Sequence, residues 1–98
     1  MARLSYSEQA LADIEALTAF LAESDALAAM ETFDLIDEAI SLLCRHPFIG
    51  RPVEHALREL VISRGRTGYL ALYSFEEAQD AILILCIRHQ REAGYGRE

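Results

Sequence analysis

Residues 87–95 read IRHQREAGY and place Arg88, His89, Arg91 and Tyr95 close together just past a run of apolar residues. These side chains have distinct chemical capacities. Arginine stays protonated in proteins, so it can grip a carboxylate or phosphate bidentately but cannot act as a base. Histidine titrates near neutrality and can move a proton. Tyrosine offers a flat apolar body with a polar tip, a combination enriched, with arginine, at the energetic centres of interfaces. Two explanations follow from the residue types. The cluster acts on another molecule, or it is the polar fringe of a final strand. Arg58, Arg64 and Arg66 lie earlier in the chain and extend the set of candidate contact residues.

Charge is unevenly distributed. The 98 residues carry a formal net charge of −7 and no lysine. From residue 4 to residue 44 there are nine acids (Glu8, Asp13, Glu15, Glu23, Asp25, Glu31, Asp34, Asp37 and Glu38) and no base. From Arg45 onward eight arginines face seven acids. The first half therefore presents acidic surface, in the simplest case a solvated helix face, and the second half holds the anion-binding capacity. Arg58 and Arg88 have an internal alternative, pairing with Glu59 or with the helix acids. His46, before Pro47, is expected near a helix C-terminus, and His55 falls in a loop without an assigned role.

The elements that must position these residues follow from periodicity. Residues 2–7, ARLSYS, alternate and read as a strand. Ser7 can cap a helix in which Leu11, Ile14, Leu17, Phe20 and Leu21 recur at helical spacing. Ser24 or Asp25 can cap a second helix, with Ala26, Ala29, Met30, Phe33, Ile36, Ile40 and Leu43 as its apolar stripe. That helix is expected to run close to Arg45 and to stop before Pro47. Residues 46–56 hold both prolines and read as a loop. Residues 57–63, 69–75 and 81–87 then read as three strands joined by short turns, an antiparallel meander. Tyr69, Tyr73 and Phe75 alternate along one of them and are expected to pack. Residues 81–87 are apolar throughout, which fits a strand covered on both faces or central in a sheet. The order β-α-α-β-β-β gives an α+β fold, with a helical hairpin on a small, mainly antiparallel sheet, in a single domain over residues 1–98.

Composition restricts the function classes. Hydrophobic residues make up 52% of the chain, which argues against a disordered chain. No stretch is long and apolar enough to span a membrane, and the start lacks a signal-peptide core, so a cytoplasmic address is expected. Cys44 and Cys86 read as free, buried thiols rather than a disulfide framework. No metal-ligand set or cofactor motif stands out, and neither is expected.

Several stretches together resemble the ParE/RelE superfamily of toxins from type II toxin–antitoxin modules. YSEQALADIEAL resembles its opening strand-to-helix junction. LLCRHPFIGRPV resembles the loop after its second helix. LRELVISRGRTGYLALYSF resembles its arginine-led strand and hairpin, and DAILILCIRHQREAGY its final strand with an Arg-His-Gln ending. The likeness runs over nearly the whole chain and is nearest to the ParE-like branch.

That resemblance implies a plasmid-stabilisation type toxin. It would be held silent by the C-terminal segment of a cognate antitoxin and would arrest growth when freed. ParE-like members are associated with poisoning DNA gyrase, and RelE-like members with cutting messenger RNA on the ribosome. The nuclease route needs a base, an acid and cations. By likeness to some RelE-like nucleases these fall on His89, Arg88, Arg91 and Tyr95. His46, His55 and the carboxylates are the other groups that could move a proton. Sixteen acids against nine arginines suit an RNA-lined site poorly, so direct nucleic-acid binding is not expected. The gyrase route needs no catalytic group, only a contact surface, with Arg58, Arg64, Arg66, Arg88, His89, Arg91 and Tyr95 as candidates. An interaction module without a toxic target is a third class. Both helix stripes and the last strand carry more apolar surface than two layers easily cover. A groove between the hairpin and the sheet is therefore expected to receive the antitoxin.

Overall fold

A computed structural model describes residues 1–64 and 67–89; Arg66, Arg91 and Tyr95 lie outside them. The chain begins with strand β1 (Arg3–Tyr6), then helix α1 (Glu8–Ala22) and helix α2 (Ala26–Leu42). Ser7 caps α1, its hydroxyl accepting from the Ala10 N–H at 3.0 Å. Asp25 caps α2, accepting from the Leu27 and Ala28 N–H groups. Each cap satisfies donors that a helix N-terminus leaves without partners. Of the two residues expected to cap α2, Asp25 takes the position and Ser24 stays in the turn.

Strands β2 (Arg51–Val53), β3 (Leu57–Arg64), β4 (Thr67–Glu76) and β5 (Ala81–His89) follow, with single 3-10 turns after β2 and β4. The sheet order is β1-β5-β4-β3-β2. β1 runs parallel to β5, and the other neighbours are antiparallel. This is the expected α+β order, and β5 is interior, between β1 and β4. Two boundaries differ from expectation. α2 stops at Leu42, and the chain from Leu43 to Arg45 closes in turns onto Ile40, Ser41 and Leu42 carbonyls. Residues 46–56, expected as loop, contain the edge strand β2. Proline is tolerated there because an edge strand can leave the missing donor facing solvent.

The core lies between the helices and one face of the sheet. Ile36, Ile40 and Leu43 pack with Ala10, Ile62, Tyr69, Ala71, Tyr73, Ile82, Ile84 and Ile87, all buried. Each fully buried large aliphatic side chain contributes about 1.5–3 kcal/mol. Tyr69 and Tyr73 pack inward as expected, and Phe75 is partly buried against the same cluster. The helix stripes divide differently from expectation. Leu11, Phe20, Met30 and Phe33 are exposed, because both helices are apolar around more of their circumference than one contact can cover.

One irregularity decides the end of the sheet. Tyr73 lies opposite Ile84 and Leu72 opposite Cys86, so Leu85 has no counterpart across β4. Such a bulge shifts the alternation by one residue. Buried Ile82 and Ile84 are therefore followed by Ile87 on the same face, and His89 rather than Arg88 comes to lie opposite Tyr69.

Candidate functional site

Polar side chains concentrate at two ends of the sheet. The first surrounds the proline-containing loop. Tyr73, fully buried, donates its hydroxyl to the Pro47 carbonyl at 2.7 Å and accepts from the Gly50 N–H at 2.9 Å. Burial raises its pKa, which the Gly50 hydrogen bond and Arg58 partly offset. Gly50 is required for space. A Cβ there would lie 2.6 Å from both the Tyr73 ring and its hydroxyl, and 3.0 Å from the Glu59 carbonyl.

Arg58 closes the same loop from β3. It donates to the Gly50 carbonyl at 2.6 Å and the Phe48 carbonyl at 3.1 Å, and its guanidinium lies 4.9 Å from the centre of the Phe48 ring. Phe48 in turn meets Phe75 edge-on at 5.2 Å. Glu59 is buried, but its cation is Arg51, which donates to it at 2.8 Å and 2.5 Å, and not Arg58. Cross-strand pairing of β2 with β3 sets this directly, since Arg51 lies opposite Glu59.

The second end lies where β5 passes α1. Asp13, Ala16, Leu17 and Phe20 of α1 and Ile87, Arg88 and His89 of β5 line an open cleft of about 520 Å³. The Arg88 guanidinium stands 3.9 Å from the Asp13 carboxylate and is about one-third exposed. His89 stacks edge-on against Tyr69, with ring centres 5.4 Å apart. Phe20 contributes an exposed aromatic ring to the cleft. This is a mixed apolar and cationic surface between the hairpin and the sheet, where the sequence led one to expect a groove. Two further clefts run along the hairpin and share Glu15 and Phe33, one bordered by Tyr6 and Leu11 and the other by Ala22 and Met30.

The structure thus brings Arg88 and His89 together and keeps Arg58 apart from them. By register, Arg58 lies opposite Tyr73, whereas His89 lies opposite Tyr69. Arg64 lies opposite Thr67, with Ile62 opposite Tyr69, so its backbone is at the same end of the sheet as His89. His46 follows α2, and His55 sits between β2 and β3 with a positive φ of 65°. His55 is on the far side of the sheet order from β5. Of the suggested internal pairings, that of Arg88 with a helix acid is present, as the loose contact with Asp13.

Sequence reasoning missed Asp13 and Ser7 as partners of β5. Asp13 accepts from the Ile87 N–H at 2.9 Å, and Ser7 donates its hydroxyl to the Leu85 carbonyl at 2.8 Å. The sequence held no clear signal for them, because residues 81–87 are apolar throughout and show no alternation in which a bulge would stand out. Cys86 is buried and free, and burial raises its thiol pKa; Cys44 is free and half-buried rather than buried. Among the described residues no group of three His, Cys, Asp or Glu side chains is placed to hold a metal ion, and no helix is long and apolar enough to cross a membrane.

A family model described as "ParE toxin of type II toxin-antitoxin system, parDE" matches residues 4–94. No curated protein sequence matches. Among solved structures, one titled as a chromosomal ParDE TA system from P. aeruginosa superposes with a TM-score of 0.75 at 24% identity, covering 91% of this chain and 96% of that one. The RelBE2 toxin–antitoxin complex of Mycobacterium tuberculosis follows at 0.64 and 19%, over 90% and 96% of the two chains. The intact E. coli RelBE complex gives 0.58 and 12%, over 90% and 95%. At these identities the structural likeness is one of fold.

Proposed function

Since the chain belongs to the ParE toxin family of type II toxin–antitoxin systems, we propose that it is a growth-arresting toxin that inhibits DNA gyrase and is silenced by the C-terminal segment of a cognate antitoxin. The observation that carries this reading is the cleft between α1 and β5. It offers a guanidinium, an imidazole and the exposed Phe20 ring on one surface. Arginine and aromatic side chains of this kind supply the energetic centres of protein interfaces. Arg88 and His89 are the target contacts in this proposal, with Arg64, Arg66, Arg91 and Tyr95 as further candidates. Arg58 acts instead by holding the loop.

Charge favours a protein target over ribosomal RNA. Both helices carry acids and lack any base, so the hairpin repels phosphate rather than neutralising it. The apolar clefts suit an antitoxin helix or strand, and the site of action is the cytoplasm.

Purified toxin, alone and with its antitoxin, separates the readings in two assays run side by side. Inhibition of gyrase supercoiling, relieved by antitoxin and without cleavage of ribosome-bound messenger RNA, supports the proposal. Cleavage without gyrase inhibition overturns it in favour of the messenger RNA interferase. That second reading draws on His89, the titratable group beside Arg88. Loss of messenger RNA cleavage in a folded, antitoxin-binding His89→Ala variant would accord with it, since acid–base catalysis contributes ~10² to 10⁴ in rate. Absence of both activities and of growth arrest on plates leaves an interaction module.

A further inference from the structure

β1 pairs with β5 only as far as Ile84. Beyond that point, among the described residues, no strand lies on this side of β5, and backbone and side-chain groups from the segment leaving β1 take its backbone groups. Ser7 does so twice. Its N–H donates to the Ile84 carbonyl at 2.9 Å and its hydroxyl to the Leu85 carbonyl at 2.8 Å, both at the bulge. Asp13 comes next. One of its oxygens accepts from the Ile87 N–H at 2.9 Å. The other accepts from Gln9 Nε2 at 2.8 Å and stands 3.9 Å from Arg88 Nη1. The Asp13 side chain is only 11% exposed, so these contacts replace most of its hydration.

We propose that Asp13 is a positioning residue for target contact. Its carboxylate stands in for the missing strand, fixes the backbone at Ile87, and so sets where Arg88 and His89 emerge at the rim of the cleft. The inference rests on the reading that Arg88 and His89 touch the target. A charge-assisted hydrogen bond to a strand N–H holds direction better than a neutral one. A recognition edge ordered before binding also spares the ordering cost during it. Because the carboxylate belongs to α1, the helix that forms the opposite wall of the cleft also fixes the spacing between the two walls.

The test compares Asp13→Ala, Asp13→Asn, Arg88→Ala and His89→Ala in the full chain, by amide hydrogen exchange and by gyrase inhibition. In Asp13→Ala the Ile87 amide should exchange about tenfold faster while Leu60 and Ala71 in the β3–β4 pair keep their protection. Gyrase inhibition should fall by a similar factor with the protein still folded. Asp13→Asn keeps an oxygen acceptor and should restore Ile87 protection and most of the inhibition. Uniformly faster exchange across β3, β4 and β5, with inhibition tracking the folded fraction, would reduce Asp13 to a general stability residue and overturn the inference. So would full inhibition by Asp13→Ala when Arg88→Ala has none. If Arg88→Ala and His89→Ala both inhibit fully, the contact reading itself fails, and the positioning role falls with it.

Discussion

The two polar ends of the sheet use the same residue types to opposite effect. At the loop end, Arg58 spends its donors on the Phe48 and Gly50 carbonyls and lays its charge on an aromatic ring, while Tyr73 fills its hydroxyl with Pro47 and Gly50. At the α1–β5 end, Arg88 reaches its acid only at 3.9 Å and borders an open cleft. A guanidinium committed to backbone carbonyls stabilises a loop; one held loosely at a rim retains donors for another molecule. The difference separates an arginine committed to the fold from one left available at the surface.

The largest expected effect is at Gly50. A Gly50→Ala side chain would collide with the Tyr73 ring, which is fully buried and has no room to give. The expected loss is about 2–4 kcal/mol. At ~4–8 °C per kcal/mol for a domain of this size, thermal melting should show it clearly. An unchanged melting temperature would mean that the loop end is not interlocked as described.

Tyr73→Phe should cost less, about 1–3 kcal/mol, by leaving the Gly50 N–H and Pro47 carbonyl without their partner. It also has a pH signature. Burial holds the Tyr73 hydroxyl protonated above the usual tyrosine range. An unfolded tyrosine loses its proton near pH ~10, before the folded one does. The corresponding stability is therefore present below about pH 10 and is lost as pH rises through the folded value. Tyr6, raised by burial and then by Asp37 and Cys44, acts in the same direction. Melting curves from neutral to alkaline pH should fall less steeply in Tyr73→Phe without becoming flat.

Arg58→Ala should follow, at about 1–2 kcal/mol from two hydrogen bonds and a ring contact at a partly exposed site. Chemical denaturation would measure it, and the antitoxin-bound protein should show the same deficit. Arg88→Ala has the smallest expected effect on stability, within about 0.5 kcal/mol, because a loose and partly exposed ion pair contributes little. A melting temperature as low as that of Gly50→Ala would place Arg88 among the structural residues and erase the contrast.

The scaffold was more legible than the site. Ser7 and Asp25 announce their helices by capping chemistry, and residues 57–63, 69–75 and 81–87 carry strand patterns strong enough to fix the order. The misread parts share a cause: they depend on what lies across space rather than along the chain. Pro52 made β2 look like loop, because edge pairing with Arg58 is invisible locally. Met30 and Phe33 matched the helical stripe of Ile36 and Ile40, yet only the latter pair meets the sheet. Asp13 sat in a run of acids that reads as solvated surface, while its real partner is a backbone N–H 74 residues away. Glu59 was offered to Arg58, its neighbour in sequence, but cross-strand register gave it Arg51. The Arg88 and His89 cluster was visible from residue type alone, but the bulge that exchanges their faces was not.

Because the two arginines are assigned different roles, the most direct measurement compares Arg88→Ala with Arg58→Ala in gyrase supercoiling, each scaled to its folded fraction by circular dichroism. The predicted result is that folded Arg88→Ala loses inhibition, whereas Arg58→Ala, though less stable, inhibits normally per folded molecule. Full inhibition by Arg88→Ala together with loss in folded Arg58→Ala would contradict it and move the contact surface to the loop end.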